Sequence, residues 1–516
     1  MVKRQAQSCL QDIGNNKKLH REDCCMSLFD LICKVPRFME LVPAASLTSL
    51  SATSSGLHKQ VQAFVSGVLG VHHTSFDLLI SQKRPLLKSL DLTSTELNAE
   101  GISVLIHGHW PVLRRLKLAK NALGTAAISV LIQADWPAIT DLNLGMNDVG
   151  ADAIQLLSKA KWPLMRRLDF CSNRPNATAV QHLVSAPWFH LESLNLCCNL
   201  GLGAEAAHFL SFSHWPLLRL LCLRATSIGV NHLPSDCWPQ LKFLHLANSR
   251  TRNVSAQQVV RKRVWPQVKY LDLSKSKLDS ETLQQLVQDD WPGLETLNLS
   301  YMLFDAVFFL ITAKQPPQTL LLAKLILTGV SPSAAQGCLL CHVLGQAHLP
   351  ALTTVDLGNN CLDAEAFEEL LKGDWRRLKQ LDLAGNELDA TAIGNLVQAD
   401  MRSLEVLFLG YNHLEFWAVL QLAKGRWPLL KCLSLLDVSK KGHLTTPCVQ
   451  NLLKGDWPCL ETLALSVHDV CATAYLLNGN GKSYDVKGNK SKVLIICSDG
   501  PQVWPCLKIV DLHHFL

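Results

Sequence analysis

Apolar residues recur along this chain in a fixed pattern that restarts about every 26 residues. Each copy begins with alternating leucines, which predict a short strand buried on one side. A constant asparagine follows, and then a segment with helical spacing of its apolar residues. In the copy at residues 375–399 the constant positions are Leu378, Leu381, Leu383, Asn386 and Leu388, and the helix face is Ala392, Ile393, Leu396 and Val397.

This spacing, LxxLxLxxNxL followed by a helix, resembles the leucine-rich repeat, in particular the ribonuclease-inhibitor type. One strand–helix unit cannot bury its apolar face alone, so copies stack on one another. The resemblance implies an α/β solenoid of about sixteen repeats, curved, with a parallel β-sheet on the concave face and helices on the convex face. The strands are predicted to be centred on Leu90, Leu116, Leu142, Leu168, Leu194, Leu221, Leu244, Leu271, Leu297, Leu325, Val355, Leu381, Leu407, Leu433, Leu463 and Val510.

Tryptophan marks the register of the copies, because twelve of the 13 tryptophans stand at one place in the repeat, usually before proline. A residue that recurs at one structural place is expected to close the helix, cover the edge of the core and stack on its neighbours. The proline ends the helix and sets the turn into the next strand. These tryptophans are Trp110, Trp136, Trp162, Trp188, Trp215, Trp238, Trp265, Trp291, Trp375, Trp427, Trp457 and Trp504.

The repeat pattern is lost towards the N-terminus. Residues 1–23 are predicted to be a flexible basic tail, and residues 24–83 to form short helices. In the second segment Val35 and Pro36 are followed by Phe38, Met39 and Leu41, and then by the run LVPAASLTSLSATSSGLHKQV that ends at Val61. With these residues the segment resembles the F-box, the helical module that joins a substrate receptor to a cullin-type ubiquitin ligase through a small adaptor. The alternative is a plain helical cap, which a solenoid needs at its end. If the resemblance holds, the adaptor-binding residues are Pro36, Phe38, Leu41, Leu47 and Leu50.

Residues 84–516 are predicted to be solenoid, with two irregular places. Residues 317–350 lengthen one copy, which predicts a longer helix or a kink between two blocks of repeats. Residues 473–503 contain a stretch rich in Gly, Asn and Lys, which predicts an inserted loop that projects from the array.

The composition is that of a well-buried chain, with 48% hydrophobic and 18% charged residues. The net charge of +6 is too small to imply a nucleic-acid partner. No signal peptide and no membrane-spanning stretch is recognisable, so we expect no membrane partner and a cytoplasmic location, with the nucleus as the alternative. The 18 cysteines often replace Leu, Ala or Asn of neighbouring copies, and we expect small buried thiols in a reducing compartment.

No motif predicts an enzyme. Gly481 and Lys482 look like the end of a phosphate-binding loop, but Leu476 replaces the glycine that such a loop needs five residues earlier. Cys338 and Cys341 have CxxC spacing without a second pair. We therefore expect no catalytic residue, no metal and no cofactor.

The remaining candidate for function is the surface of the sheet. The central residue of each LxL strand points away from the core, and Asp and Asn at this place predict an acidic and polar strip. Aromatic residues flank the strip, and exposed aromatics beside polar groups are the usual anchors of protein interfaces. We predict a protein partner on the concave face, bound by Phe243, His245, Tyr270, Asp272, Asn298, Tyr301, Phe408 and Tyr411.

These observations favour a non-enzymatic protein-recognition scaffold. The F-box resemblance makes this a substrate receptor of a cullin-type ubiquitin ligase, with the adaptor at residues 24–83 and the substrate on the concave face. A structural or cytoskeletal scaffold is the alternative if that segment only caps the array. A regulator of a small GTPase is a third hypothesis.

Overall fold

The computed structural model describes residues 88–108, 110–229, 232–249, 264–278, 280–312, 322–347, 349–435, 451–452, 455–467, 482–485 and 492–496. The predicted tail, the cap or F-box-like segment with its five adaptor-binding residues, and the strand predicted near Val510 lie outside the described residues.

Fifteen parallel strands, one from each repeat, pair in chain order to form one sheet. They stay in register, so that Leu90 lies opposite Leu116 and Leu116 opposite Leu142. Each strand contains the residue predicted as its centre. The strands are β1 Ser89–Asp91, β2 Arg115–Lys117, β3 Asp141–Asn143, β4 Arg167–Asp169, β5 Ser193–Asn195, β6 Leu220–Cys222, β7 Phe243–His245, β8 Tyr270–Asp272, β9 Thr296–Asn298, β10 Lys324–Ile326, β11 Thr354–Asp356, β12 Gln380–Asp382, β13 Val406–Phe408, β14 Cys432–Leu435 and β15 Thr462–Val467.

The described helices alternate with these strands and pack on one side of the sheet. Several begin at a capping side chain, such as Asp363, whose Oδ1 accepts from the Ala366 N–H at 2.9 Å. Within residues 317–350, for which the sequence predicts a longer helix or a kink, the structure has α8, Ala334–Gln346, a helix of 13 residues. The helices are α1 Ala99–Ile106, α2 Thr125–Leu131, α3 Ala151–Leu157, α4 Ala177–Val184, α5 Ala204–Leu210, α6 Ser280–Gln288, α7 Phe304–Thr312, α8 Ala334–Gln346, α9 Ala364–Leu371, α10 Ala390–Gln398 and α11 Phe416–Leu422. Within the described part of the chain, no helix has the length and apolarity needed to cross a membrane.

The core is one continuous layer between the sheet and the helices, and the repeated tryptophan lies at its edge. All eleven described members of the tryptophan position are buried. The Trp136 and Trp162 rings stack with their centroids 6.1 Å apart, and Trp265 and Trp291 stack at 5.3 Å. Trp417 in α11, the one tryptophan outside this position, is 65% exposed. The burial predicted for the repeated tryptophan is therefore confirmed for the described copies, and the predicted stacking is confirmed for three pairs, of which the third is Trp427 with Trp457.

In seven repeats a buried asparagine joins the repeat to the one before it. Asn147 is fully buried, and its Oδ1 accepts from the backbone N–H of Asn121 at 2.8 Å. Its Nδ2 donates to the carbonyls of Leu118 and Gly145, at 2.8 and 3.1 Å. Equivalent contacts recur at Asn121, Asn173, Asn199, Asn360, Asn386 and Asn412.

The inserted segment at residues 473–503 differs from the predicted loop. It contains two strands, β16 Lys482–Asp485 and β17 Lys492–Ile496, which pair antiparallel. Strand β17 also pairs antiparallel with β15. The reason lies in the sequence of β17 itself. Its apolar run Val-Leu-Ile-Ile has a strong preference for strand, which outweighs the preference of the Gly- and Asn-rich flanking residues for loop.

Candidate functional site

The face of the sheet opposite the helices, here called the open sheet face, carries the side chains on either side of each buried strand leucine. In β7, Leu244 is buried, whereas its neighbours Phe243 and His245 lie on the open sheet face. Because the strands are in register, these side chains form rows with a spacing of about 4.8 Å from strand to strand. The open sheet face is the surface that the sequence predicts to be concave.

Five of the eight predicted partner-binding residues lie together on three neighbouring strands, in what we call the aromatic cluster. The Tyr270 ring contacts two rings of β7, with its centroid 6.4 Å from that of Phe243 and 4.9 Å from that of His245. His245 Nδ1 is 3.7 Å from Asp272 Oδ2. Tyr270 also forms a side-chain hydrogen bond with Asn298 on β9. The aromatic cluster comprises Phe243, His245, Tyr270, Asp272 and Asn298.

Asp272 supplies the charge of the aromatic cluster. Its burial by itself would raise its pKa, but the nearby His245 ring, hydrogen bonds from Ser274 and the charge of Arg224 outweigh that effect and lower the pKa of Asp272. The pKa of Tyr270 is raised by its burial and by the charge of Asp272. The aromatic cluster therefore presents a neutral phenol and an exposed phenyl ring over an ionised, almost fully buried carboxylate.

The predicted residues Tyr301 and Tyr411 occupy a different row, which we call the left-handed row. Its members stand three residues after β1 to β13, and each has a positive φ, between +51° and +69°. The Tyr301 ring packs over the backbone of Gly329, the next member of the row, where a Cβ would lie 2.5 Å from the ring. Lys275, the preceding member, places its Nζ 5.1 Å from the ring centroid. The members are Ser94, Lys120, Met146, Ser172, Cys198, Ala225, Asn248, Lys275, Tyr301, Gly329, Asn359, Gly385 and Tyr411.

Phe408, with Tyr411, is separate from the aromatic cluster, because β13 lies four strands, or about 19 Å, from β9. In the row across β11, β12 and β13, Asp356, Asp382 and Phe408 are direct neighbours. Burial and then the charge of Asp356 raise the pKa of Asp382 to about 6, although a backbone hydrogen bond from Ala384 opposes the shift. The predicted residues thus form two groups.

Replacing Asp382 with asparagine is expected to stabilise the protein at neutral pH by about 1–2 kcal/mol and to have little effect near pH 4. The folded pKa of about 6 lies above the unfolded value, so the folded state holds more protons between these two values. Wild-type stability therefore falls as the pH rises through that window, and Asp382→Asn removes this fall. Asparagine Oδ1 can keep the hydrogen bond to Ala384 N.

Urea unfolding of both proteins at about pH 4 and pH 7.5 measures this difference. Asp356→Asn is the matched variant, because it removes only the neighbouring charge and should produce a smaller gain at pH 7.5. A difference between Asp382→Asn and wild type that is the same at both pH values would contradict the assignment.

The strip predicted to be acidic and polar contains an ion pair in the first repeats, because Lys117 binds Asp91 at 3.1 Å. In the row on the other side of the strand leucines, Arg167 binds Asp141 at 2.9 Å, also across two neighbouring strands. A shallow depression of about 440 Å³ on β2 to β7 is lined by both signs of charge, including Arg224. Opposite charges at neighbouring strand positions attract each other, and the sequence does not reveal this without the register.

The prediction that the cysteines are small buried thiols is wrong for most of the described ones. Of the ten described cysteines only Cys341 is buried. Cys171, Cys197 and Cys222 are half-buried and Cys198 is exposed, all near the open sheet face of β4 to β6. Burial and the hydrogen bond with Cys197 raise the pKa of Cys171 to about 12. The sequence prediction missed this group because it treated each cysteine alone; the 26-residue spacing of Cys171 and Cys197 was the available signal.

One stretch of this chain matches a known repeat family. Residues 85–105 match the family model described as Leucine Rich repeat. The chain is similar to the crystal structure of an internalin from Listeria monocytogenes, with 18% identity, a TM-score of 0.39, and coverage of 77% of this chain and 93% of that one. It is also similar to an LRR protein of Leptospira interrogans, with 20% identity, a TM-score of 0.42, and coverage of 75% and 85%. A search of curated proteins finds no match.

Proposed function

We propose that this array of leucine-rich repeats is a non-catalytic protein-recognition scaffold whose partner binds the open sheet face. The observation that carries the proposal is the aromatic cluster, in which Phe243 is 41% exposed beside two further rings. Large aromatic side chains on a surface are the common anchors of protein interfaces. Fifteen paired strands give this anchor a rigid base.

The contacts within the aromatic cluster favour binding because they fix the rings before a partner arrives. Tyr270 is held by the Phe243 and His245 rings on one side and by Asn298 on the other. A side chain that is already ordered loses little conformational entropy on binding. The ionised Asp272 beneath the rings adds a negative charge that favours a basic or hydrogen-bond-donating group on the partner.

The second group, around Phe408, supports a partner of some length. Phe408 adjoins Asp382, whose pKa is raised by burial and by the charge of Asp356, so a nearby cation would stabilise the ionised carboxylate. A lysine or arginine of the partner would supply that cation. We therefore propose an extended partner that places an aromatic or aliphatic group on the aromatic cluster and a cation near Asp382.

The test is an affinity capture with the full chain and three variants. Phe243→Ala and Tyr270→Ala remove the two larger rings, and Phe189→Ala, in the turn before β5, is the control because it is 56% exposed and lies outside the cluster. We expect a captured protein to bind each cluster variant about 10- to 100-fold more weakly and the control unchanged. Equal binding by all four chains would overturn the proposal.

Our finer proposal is that the chain is a substrate receptor of a cullin-type ubiquitin ligase, located in the cytoplasm or nucleus. Its support is the F-box resemblance at Pro36, Phe38, Leu41, Leu47 and Leu50. In this arrangement residues 24–83 bind the small adaptor and the open sheet face holds the substrate.

Binding of the full chain to the purified adaptor tests the finer proposal separately. Wild type should bind at micromolar concentration or below, and a chain with Leu47→Asp and Leu50→Asp should not. Circular dichroism and capture of the sheet-face partner show that the double variant is folded. Absence of adaptor binding by the wild-type chain would leave residues 24–83 as a cap and the protein as a scaffold.

A further inference from the structure

Four cysteines from three consecutive repeats meet at the edge of the open sheet face. Cys171 and Cys197 stand two residues after β4 and β5, at the same place in neighbouring repeats, and their Sγ atoms are 2.9 Å apart. Cys198 follows Cys197, and the Sγ atoms of these three residues all lie within 4.8 Å of one another. Cys222, in β6, lies close enough to Cys197 to affect the pKa of that thiol. We call these residues the thiol cluster.

The distances within the thiol cluster suit one shared metal ion. A zinc–thiolate bond is about 2.3 Å long, so tetrahedral ligands lie about 3.8 Å from each other. Three Sγ atoms within 4.8 Å need only small side-chain rotations to reach that spacing. The fourth ligand of a tetrahedral ion would be either Cys222, which lies on the next strand, or a water molecule. Sulfur-only ligand sets select soft ions such as Zn²⁺ and Cu⁺.

The backbone holds two of these cysteines in matching positions. The Cys171 N–H donates to Asp169 Oδ1 at 2.9 Å, and the Cys197 N–H donates to Asn195 Oδ1 at 3.1 Å. The carbonyl of Cys171 also accepts from Asn173 Nδ2, at 3.2 Å, so the asparagine ladder fixes this segment. Cys198 lies in the left-handed row and is exposed, which gives an ion a route from solvent. A ligand set held this way is preorganised.

We propose that Cys171, Cys197 and Cys198 bind one thiophilic ion, Zn²⁺ or Cu⁺, with Cys222 as the fourth ligand or a neighbour of the site. The ion would join the three repeats through coordinate bonds, in addition to their hydrogen bonds, their packing and the ion pair of Arg166 with Glu192. It would lie on β4 to β6, next to β7 of the aromatic cluster, and does not depend on a protein partner.

The test is a metal titration of the full-length chain, reduced and freed of metal. Zn²⁺ and Cu⁺ are added in separate experiments against a competing chelator, and Co²⁺ serves as the spectroscopic probe of tetrahedral thiolate coordination. We expect one ion per chain, and a loss of affinity of about tenfold or more in Cys197→Ser and in Cys198→Ser. Cys361→Ser is the matched control, since it removes a half-buried thiol from another repeat and should bind as wild type.

The use of two cysteine variants separates a loss of metal binding from a loss of folding. Cys198 is exposed, so Cys198→Ser should leave the fold unchanged. Tight binding of either ion that both variants weaken supports the site, and the tighter ion identifies its occupant. If the protein as purified contains a Cys171–Cys197 disulfide, the disulfide is reduced and the titration is repeated. The proposal is overturned if the reduced chain gives no thiolate spectrum with Co²⁺ and binds neither Zn²⁺ nor Cu⁺. It is also overturned if the variants bind as tightly as wild type.

Discussion

Alanine in place of Asn147 is expected to lower the free energy of unfolding by about 3–4 kcal/mol. The substitution leaves the buried N–H groups of Asn121 and Leu123 without the oxygen that they share. It also removes the donor to the Leu118 and Gly145 carbonyls. A buried polar group without a partner costs about 1–3 kcal/mol. Asn147 is fully buried, so few of the backbone groups that it leaves can find water as a new partner.

The same repeat contains the matched control. Asn143, on the open sheet face, accepts one hydrogen bond, from Gly145 N–H at 2.9 Å, so its replacement by alanine should cost about 1 kcal/mol or less. Urea unfolding followed by circular dichroism measures both, and hydrogen exchange shows whether the damage is centred on the repeats around residue 147. Equal losses for Asn143→Ala and Asn147→Ala would show that the ladder is not what joins the repeats.

Removal of a stacked tryptophan is the second large expected effect. Trp162→Ala should destabilise the protein by about 3–5 kcal/mol, since it opens a cavity at the edge of the core and removes the ring on which Trp136 stacks. Adjacent repeats bury each other, so the loss should loosen the repeats on both sides.

The control for this prediction is the one tryptophan outside the repeated position. Trp417→Ala removes a largely exposed ring from α11 and should change the stability by less than about 0.5 kcal/mol. Denaturant unfolding compares the two variants, and hydrogen exchange of α2 and α3 reports the local effect. If Trp162→Ala were as mild as Trp417→Ala, the repeated tryptophan would have to be a surface feature rather than part of the core.

Much of the fold can be predicted from the sequence because each local signal is repeated. A single strand of three residues, such as β4, would be too weak a signal to place on its own. Tryptophan before eleven of the fifteen strands and asparagine after seven of them give the boundaries independently of the leucines. The stacking of Trp162 and the ladder role of Asn147 follow from the same period.

The candidate site is less predictable, because it depends on which residues face each other across strands. The sequence places Phe243 and Tyr270 on the open sheet face, but only the register makes them ring neighbours. The thiol cluster and the pairing of Arg167 with Asp141 likewise arise between residues that lie a full repeat apart. The hairpin of β16 and β17 was missed because its strands have no counterpart in other copies.

The left-handed row limits how the exposed edge of the array can change during evolution. None of its thirteen members is Val, Ile, Thr or Pro, because a branched Cβ or a proline ring is strongly disfavoured at a positive φ. Size and charge are free to vary there, as Lys275, Tyr301 and Gly329 show in three successive repeats. New specificities along this edge should therefore arise through unbranched and aromatic side chains, and through the choice of which repeats carry them.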